Sequence, residues 1–430
     1  MSTLRSRLGA LRQESGLSSV VDVAGARPDT IDGLRRRLQR VAAGEPRRRR
    51  IQKGAGDQTL ATKLGGHVMG DGVVCIRERL EPDAVHGDLP LFDPALHQAL
   101  SHCTDGELGV PRACVFMDTE TTGLAGGTGT LVFLLGMARF SRGTLEVCQL
   151  LLSGFRGESA MLSEAQQFLR DTDTLVTFNG RSFDSPLLAA RYRLAGLEDP
   201  FARLRHVDLL HPTRRTFKNC WPDCRLQTAE RRLLGVARIG DLPGSEAPRA
   251  WFDWVRHGRD DALPGVCSHN RLDLLSLAVL PGALHRSHAD PASTGANVLA
   301  CARQHCRSLD PGAGEGGEEQ AIFAYLQRHR ARLDRDGQLE LARLARRRGE
   351  WALAVELWRQ LAADGLPIAI EHLAKYYEHE QRDYESALEV TSRLLARDPH
   401  DRQYRRRDTR LRARLAATEV LRHRDSLSST

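Results

Sequence analysis

Two carboxylates stand in the middle of an apolar run of this sequence, at Asp118 and Glu120. The residues before them, 115–117, are apolar as in a buried strand. Side chains of a strand alternate between its two faces, so both carboxylates point to one side and Thr119 to the other. Like charges so placed are unfavourable unless they share a proton or bind a cation. The pair therefore predicts a cation site, and the alternative is an acidic strand end that faces water.

Two further acidic segments occur downstream. Asp184 comes just after a predicted strand, at the start of a predicted helix, whereas His269 and Asp273 share one face of another predicted helix. Four carboxylates would then converge where the strands end: Asp118, Glu120, Asp184 and Asp273. Oxygen ligands of this kind suit Mg²⁺ or Mn²⁺ rather than Zn²⁺.

The chemistry that such a cluster supports is phosphoryl transfer. Phosphodiester cleavage develops negative charge on the attacking and leaving oxygens, and two divalent ions about 4 Å apart stabilise both charges and activate a water. A cluster of carboxylates can hold two such ions. The cluster alone does not separate a nuclease from other phosphoryl-transfer enzymes.

Three motifs carry these residues. The first is Asp-x-Glu-Thr-Thr-Gly from Asp118, and the second is Asn-x3-Phe-Asp ending at Asp184. The third lies on a predicted helix, where three residues separate His269 from Asp273. In order and residue type they resemble the motifs of the DEDD superfamily of 3′–5′ exonucleases. More narrowly, residues 113–280 resemble the YprB-type ribonuclease H-like family. That family includes the mitomycin repair factor B exonucleases and carries C-terminal tetratricopeptide-like repeats.

The resemblance implies a metal-dependent 3′–5′ exonuclease, with DNA favoured over RNA as substrate and a role in DNA repair. Carried over by motif, the ligands of two Mg²⁺ or Mn²⁺ ions would be the four carboxylates Asp118, Glu120, Asp184 and Asp273. The resemblance also implies a protein partner for the repeats, by family analogy a helicase. The residues leave open two other functions, a binding scaffold with a degenerate nuclease fold and a structure-selective endonuclease.

His269 departs from the family pattern. In one branch of the family a Tyr is usually separated from the last Asp by three residues. In the other branch a His takes this role and is usually separated from that Asp by four residues. An imidazole accepts a proton at neutral pH more readily than a phenol does. We therefore expect His269 to orient or deprotonate the attacking water, and the alternative is a packing histidine.

Composition and charge bound the class of protein. The chain has 41% hydrophobic and 27% charged residues, and no run of roughly 18 apolar residues or signal peptide. We therefore expect a soluble cytoplasmic protein without membrane contact, whose nine cysteines are free thiols. Residues 1–63 hold fourteen Lys or Arg against six Asp or Glu, a net +8, whereas the rest carries −1. Such an arm favours contact with nucleic acid, and the alternative is a solvated tail.

The order of predicted elements gives the fold class. Three antiparallel strands followed by alternating helices and strands are typical of an α/β ribonuclease H-like domain, a mixed sheet flanked by helices. Downstream, Gly349–Leu357 aligns with Arg382–Val390 at an offset of 33, as in tetratricopeptide-like helical repeats, and the alternative is an unrelated helical bundle. The predicted regions are a basic, largely flexible arm (1–62), a β-rich lead-in (63–111), the exonuclease domain (112–284), a linker (285–317), an all-α repeat domain (318–415) and a flexible tail (416–430).

Several other residues have both a functional and a structural interpretation. Asn179 suits either the turn before Asp184 or contact with a nucleotide. Asp208, another acid within an apolar run, suits support of the carboxylate cluster and is not predicted as a ligand. Four aromatic residues suit base stacking or core packing: Phe217, Trp221, Trp251 and Trp254. Three cysteines invite a zinc site, although their spacing is not that of common zinc motifs: Cys220, Cys224 and Cys267.

Overall fold

The computed structural model describes residues 53–70, 72–104, 110–123, 129–309 and 315–428, and the described residues from position 56 onward fall in one compact unit. Several predicted regions lie partly outside the described residues. These are most of the basic arm, positions 71 and 105–109 of the lead-in, 124–128 of the exonuclease domain, 310–314 of the linker and 429–430 of the tail.

A seven-stranded mixed sheet is the centre of the fold, in the strand order β1-β2-β7-β6-β5-β8-β9. Its strands are β1 (His67–Val68), β2 (Val73–Leu80), β5 (Cys114–Thr121), β6 (Val132–Ser141), β7 (Thr144–Leu152), β8 (Thr174–Thr177) and β9 (Arg205–Asp208), and β3 (Val85–His86) pairs separately with β4 (Leu89–Pro90). The three predicted antiparallel strands are confirmed as β5, β6 and β7, and the β-rich lead-in contains the antiparallel pair β1 and β2. β8 and β9 continue the sheet in parallel on the other side of β5. Sequence analysis therefore predicted the ribonuclease H-like fold class correctly.

Helices cover both faces of this sheet. They are α1 (Lys53–Lys63), α2 (Leu96–Cys103), α3 (Glu158–Phe168), α4 (Asp184–Leu194), α5 (Leu210–Phe217), α6 (Leu226–Ala229), α7 (Ala247–His257) and α8 (Leu263–Ala289). Because side chains of a strand alternate, Phe116 of β5 packs into one apolar cluster while Val115 and Met117 pack into another. The centre of α8, at Leu274, lies in the first cluster, so this long helix is fixed close to β5.

The rest of the described chain is helical. The helices are α9 (Pro291–Thr294), α10 (Val298–Leu309), α11 (Glu315–Arg328), α12 (Arg335–Arg347), α13 (Trp351–Ala363), α14 (Pro367–Tyr376), α15 (Tyr384–Arg397) and α16 (Arg402–Ser428). Consecutive helices from α12 to α16 pack against one another, and their core joins the cluster that contains Phe116. The all-α character is confirmed, whereas the tetratricopeptide assignment stays a prediction.

Two predictions of irregular structure differ from what is found. The predicted linker contains the end of α8 and all of α10, because Val298, Cys301 and Ala302 form an apolar stripe that packs into the core. The predicted flexible tail continues α16 as far as Ser428.

Candidate active site

Asp118 and Glu120 lie on β5, the strand between the antiparallel and parallel halves of the sheet. Asn270 of α8 donates its side-chain amide to the Asp118 carboxylate over 2.8 Å. Gln149 of β7 in turn donates to the Asn270 oxygen, also over 2.8 Å. Gly136, the partner of Asp118 on β6, gives Asn270 its space, since a Cβ there would lie 2.1 Å from the Asn270 oxygen. A chain of amides thus fixes the Asp118 carboxylate.

Asp184 is the first residue of α4, at the end of the loop that follows β8. The Thr119 hydroxyl donates to its carboxylate. Asp208 holds the same loop by accepting from the backbone N–H groups of Asn179 over 2.7 Å and of Arg181 over 3.1 Å. Asn179 has a positive φ of 66°, which an Asn tolerates better than most residues. Asn179 and Asp208 therefore shape the loop that positions Asp184.

Asp273 and His269 share one face of α8, with His269 Nε2 3.7 Å from the Asp273 carboxylate. Sequence analysis missed Arg238, whose side chain is buried and pairs with Asp273. Arg238 also pairs with Glu230 over 2.6 Å and with Asp241 over 3.0 Å. Asp241 accepts from His269 Nδ1 over 2.7 Å. His269 and Asp273 are therefore held in place by ion pairs and hydrogen bonds with residues of the segment 230–241.

The structure brings the four predicted carboxylates into one electrostatic neighbourhood. Burial raises the pKa of Asp118 well above its usual range, and Asp273, Glu120 and Asp184 raise it further. Burial, followed by Asp273 and Asp184, raises the pKa of Glu120 to about 8. Burial also raises the pKa of Asp184 to about 6 and that of Asp273, although Arg238 opposes the latter shift. These carboxylates repel one another when ionised, so a cation among them would be stabilising.

The donor set has the chemistry of a magnesium or manganese site, because all four side chains offer oxygen. As the side chains stand, no three His, Cys, Asp or Glu residues in the described ranges are grouped closely enough to hold an ion. Asp184 is instead bonded to the hydroxyl of Thr119, and Asp273 to the guanidinium of Arg238. An ion at Asp273 would compete with Arg238, whereas Asp184 could keep its hydrogen bond from Thr119 through one oxygen and bind an ion through the other.

Comparisons with known proteins agree with the fold. A family model of the RNase_H superfamily, RNase_H_2, matches residues 115–284. A protein of Bacillus subtilis (strain 168), named "Uncharacterized protein YprB", is 35% identical over 311 residues, which are 69% of this chain and 72% of that protein. The chain belongs to the YprB family of the ribonuclease H superfamily. Membership of this nuclease superfamily supports hydrolysis of nucleic acid.

A family B DNA polymerase from the hyperthermophilic archaeon Pyrobaculum calidifontis is a structural match at a TM-score of 0.31 and 15% identity. The match covers 68% of this chain and 38% of the polymerase, so the chain spans well under half the length of that protein. Among the described helices, none combines the length and apolar character needed to cross a membrane.

In this YprB-family protein the aromatic candidates pack into the core or bond to the backbone. Phe217 and Trp221 stack on each other with ring centroids 3.9 Å apart, and both are buried. The indole N–H of buried Trp251 donates to Leu152, whereas half-buried Trp254 donates to Ser153. These contacts agree with the core-packing alternative for Phe217, Trp221 and Trp251.

The cysteine candidates are dispersed. Cys267 is buried in the apolar cluster on the side of Val115, whereas Cys220 is exposed and Cys224 is half-buried. Burial raises the pKa of all three thiols, which disfavours the thiolate that binds zinc. The described residues give no third ligand to Cys220 and Cys224.

Glu120 is expected to make stability depend on pH when divalent ions are removed. Its folded pKa of about 8 lies above the ordinary value of 4.5, so the folded state binds this proton more tightly than the unfolded state does. The stability that protonated Glu120 contributes to the folded state is fully present below about pH 4.5 and is lost as the pH rises through 8. In urea unfolding with EDTA, the free energy of unfolding of Glu120→Gln should rise relative to that of wild type by about 1 kcal/mol per pH unit between these limits. Parallel pH profiles for the two proteins would contradict this assignment.

Proposed function

We propose that this protein is a 3′–5′ exonuclease that hydrolyses the phosphodiester bonds of nucleic acid, with DNA in repair as its substrate. The observation that carries the proposal is the convergence of four carboxylates from β5, α4 and α8, since Asp273 and Asp184 both raise the pKa of Asp118 and that of Glu120. A structural protein gains nothing from carboxylates placed so that their repulsion raises the pKa of neighbouring carboxylates. A nuclease needs them, because the charge they concentrate is the charge that binds divalent ions.

The four carboxylates would hold two Mg²⁺ or Mn²⁺ ions: Asp118, Glu120, Asp184 and Asp273. Such ions, when bound, stabilise the charge on the attacking and leaving oxygens. Asn270 orients Asp118, and Thr119 orients Asp184. Both contacts fix carboxylate positions before the substrate arrives.

His269 has the geometry of a general base held by a carboxylate. His269 Nδ1 faces the Asp241 carboxylate over 2.7 Å and the Arg238 guanidinium over 3.2 Å. The shorter contact is to the carboxylate, which can only accept, so it favours the proton of a neutral His269 on Nδ1 and leaves Nε2 as an acceptor. Nε2 lies on the side of Asp273. His269 could therefore take a proton from a water beside the carboxylates at Nε2, and Asp241 would stabilise the resulting imidazolium.

His269→Ala is expected to lower the hydrolysis rate at saturating Mg²⁺ by about 10²-fold, since general-base catalysis contributes 10² or more. Asp241→Asn, which disturbs the tautomer but keeps the shape, should lower the rate by about ten-fold. Rates are measured on an end-labelled oligonucleotide. His257→Ala, at an exposed histidine of α7, serves as the matched control. Wild-type rates for His269→Ala would assign this histidine to packing alone.

The helical region suits a recruiting role. At the starts of α13 and α15, the residues Ala354 and Ala387 are fully buried, and Trp351 packs on Tyr376 of α14 with ring centroids 5.4 Å apart. This supports a tetratricopeptide-like module over residues 318–415 with a protein partner, by family analogy a helicase. The sequence of α16 holds nine arginines against three carboxylates, a charge that suits a phosphate backbone.

The function is tested by the product ladders of one duplex labelled at its 3′ end and another labelled at its 5′ end, each with Mg²⁺ or EDTA. The proposal expects metal-dependent release of single nucleotides from the 3′ end and a descending ladder from the 5′ label. A closed circular substrate should stay intact, whereas its cutting would indicate an endonuclease. Absence of hydrolysis on all substrates, with a protein partner bound by the helical region, would indicate a scaffold.

A further inference from the structure

A loop beside the carboxylates exposes one apolar side chain between two anchored residues. The loop, residues 236–242, follows the π-helical turn Glu230–Leu234. Ile239 at its tip is 94% exposed, whereas the side chains of Arg238 and Asp241 are 7% and 9% exposed. Single exposed apolar residues are common on protein surfaces. This one is unusual because its neighbours on both sides are fixed inside the candidate active site.

The anchors hold the loop in place from both ends. Arg238 pairs with Glu230 over 2.6 Å and with Asp273, and Asp241 bonds to His269. Successive Cα atoms are about 3.8 Å apart, so the Ile239 Cα lies within roughly 7.6 Å of the Asp241 Cα. Gly240 has a positive φ of 69°, which turns the chain back between the tip and the second anchor. Ile239 is therefore presented to solvent at a defined place on the rim of the site.

A pocket of about 360 Å³ lies against the same loop. Its lining combines amide and charged groups with an apolar wall: Gln227, Glu230, Arg231, Val236, Arg238, Asp241 and Pro243. Its volume is within the range of small-molecule sites. Hydrogen-bonding groups around an apolar surface suit a nucleobase, which has polar edges and flat apolar faces.

We propose that loop 236–242 binds the terminal nucleobase of a nucleic-acid end, with Ile239 acting as a wedge that opens the last base pair. The inference rests on the proposed function and names the kind of substrate that the site accepts, a paired end. Apolar side chains such as Ile, Leu and Met unstack base steps in this way. The pocket is lined by Arg238 and Asp241, which stand on either side of the wedge in the loop, and it receives the unpaired nucleotide. A protein partner is disfavoured as occupant, because one exposed side chain offers far less area than a protein interface requires.

The test compares rates on a blunt duplex and on a single strand of the same sequence. Ile239→Ala should lower the rate on the duplex by about ten-fold and change the rate on the single strand by less than three-fold. Ile239→Met, which keeps an apolar wedge, should stay close to wild type on both. The matched control is Ile368→Ala, at an exposed isoleucine of α14.

A second readout needs no hydrolysis. In the Asp118→Asn background, a terminal 2-aminopurine in the duplex should brighten on binding as its base unstacks, and Ile239→Ala should remove that rise. If wild type hydrolyses nothing but the Ile239-dependent rise occurs, the exonuclease proposal fails and the base-binding loop stands. If wild type hydrolyses duplex ends and Ile239→Ala matches it in rate and fluorescence, the loop proposal is overturned and the exonuclease proposal stands.

Discussion

Asp118→Asn is expected to lower metal-dependent hydrolysis on the order of 10³-fold, about 4 kcal/mol of transition-state stabilisation. Asparagine keeps the shape of the side chain and one oxygen, but removes the negative charge that binds a divalent ion. The loss should appear mainly in kcat, because binding of the nucleic acid depends on many other contacts. Excess Mn²⁺ should restore only part of the rate, since the missing charge stabilised the ion itself.

The same substitution should leave the fold intact, and this separates catalysis from stability. The pKa of Asp118 is raised by burial and by the neighbouring carboxylates, so a neutral replacement relieves repulsion when no ion is bound. In EDTA the thermal midpoint of Asp118→Asn should equal or exceed that of wild type. Asp171→Asn, at an exposed carboxylate between α3 and β8, is the control for rate. A rate within three-fold of wild type for Asp118→Asn would remove this residue from the catalytic site.

Sequence analysis could locate the carboxylates because each stands in a strong local pattern. An apolar run interrupted at Asp118 predicts a central strand, and the strand-to-helix transition predicts the place of Asp184. The i, i+4 spacing of His269 and Asp273 predicts one face of a helix, which α8 confirms. Local periodicity thus predicted the strand and the two helices that carry the acids, and the sheet beside which these acids lie.

The residues that hold the acids in place could not be found in this way. Asn270 reaches Asp118 across 152 positions, and Arg238 reaches Asp273 across 35. Arg238 and Asp241 occupy a loop without periodicity, where a charged residue is by default expected to face water. The one available signal was composition, because an Arg and an Asp three residues apart between two glycines suit a fixed turn. Contacts of this kind are decided by tertiary packing, which a local pattern does not encode.

Arg238→Met is expected to lower the free energy of unfolding by about 3–5 kcal/mol in the absence of divalent ions. Methionine retains most of the length and apolar stem, so the effect isolates the charge. Arg238 is the guanidinium that pairs with three carboxylates at once, those of Glu230, Asp241 and Asp273. Glu230 is fully buried and also accepts from the Ser276 hydroxyl, so in the folded protein Arg238 rather than water compensates its charge. Its carboxylate would be left as an uncompensated buried charge.

Three comparisons decide whether Arg238 acts as a built-in counter-ion. Arg191 pairs with Glu158, which is not one of the four candidate ligands. Arg191→Met should therefore lower the free energy of unfolding by less than Arg238→Met does. Adding Mg²⁺ should stabilise Arg238→Met more than wild type, because an ion then compensates carboxylates that the arginine no longer neutralises. Glu230→Gln in the Arg238→Met background should recover part of the loss by removing the stranded charge. Equal losses for both arginines and equal responses to Mg²⁺ would instead make Arg238 an ordinary structural ion pair.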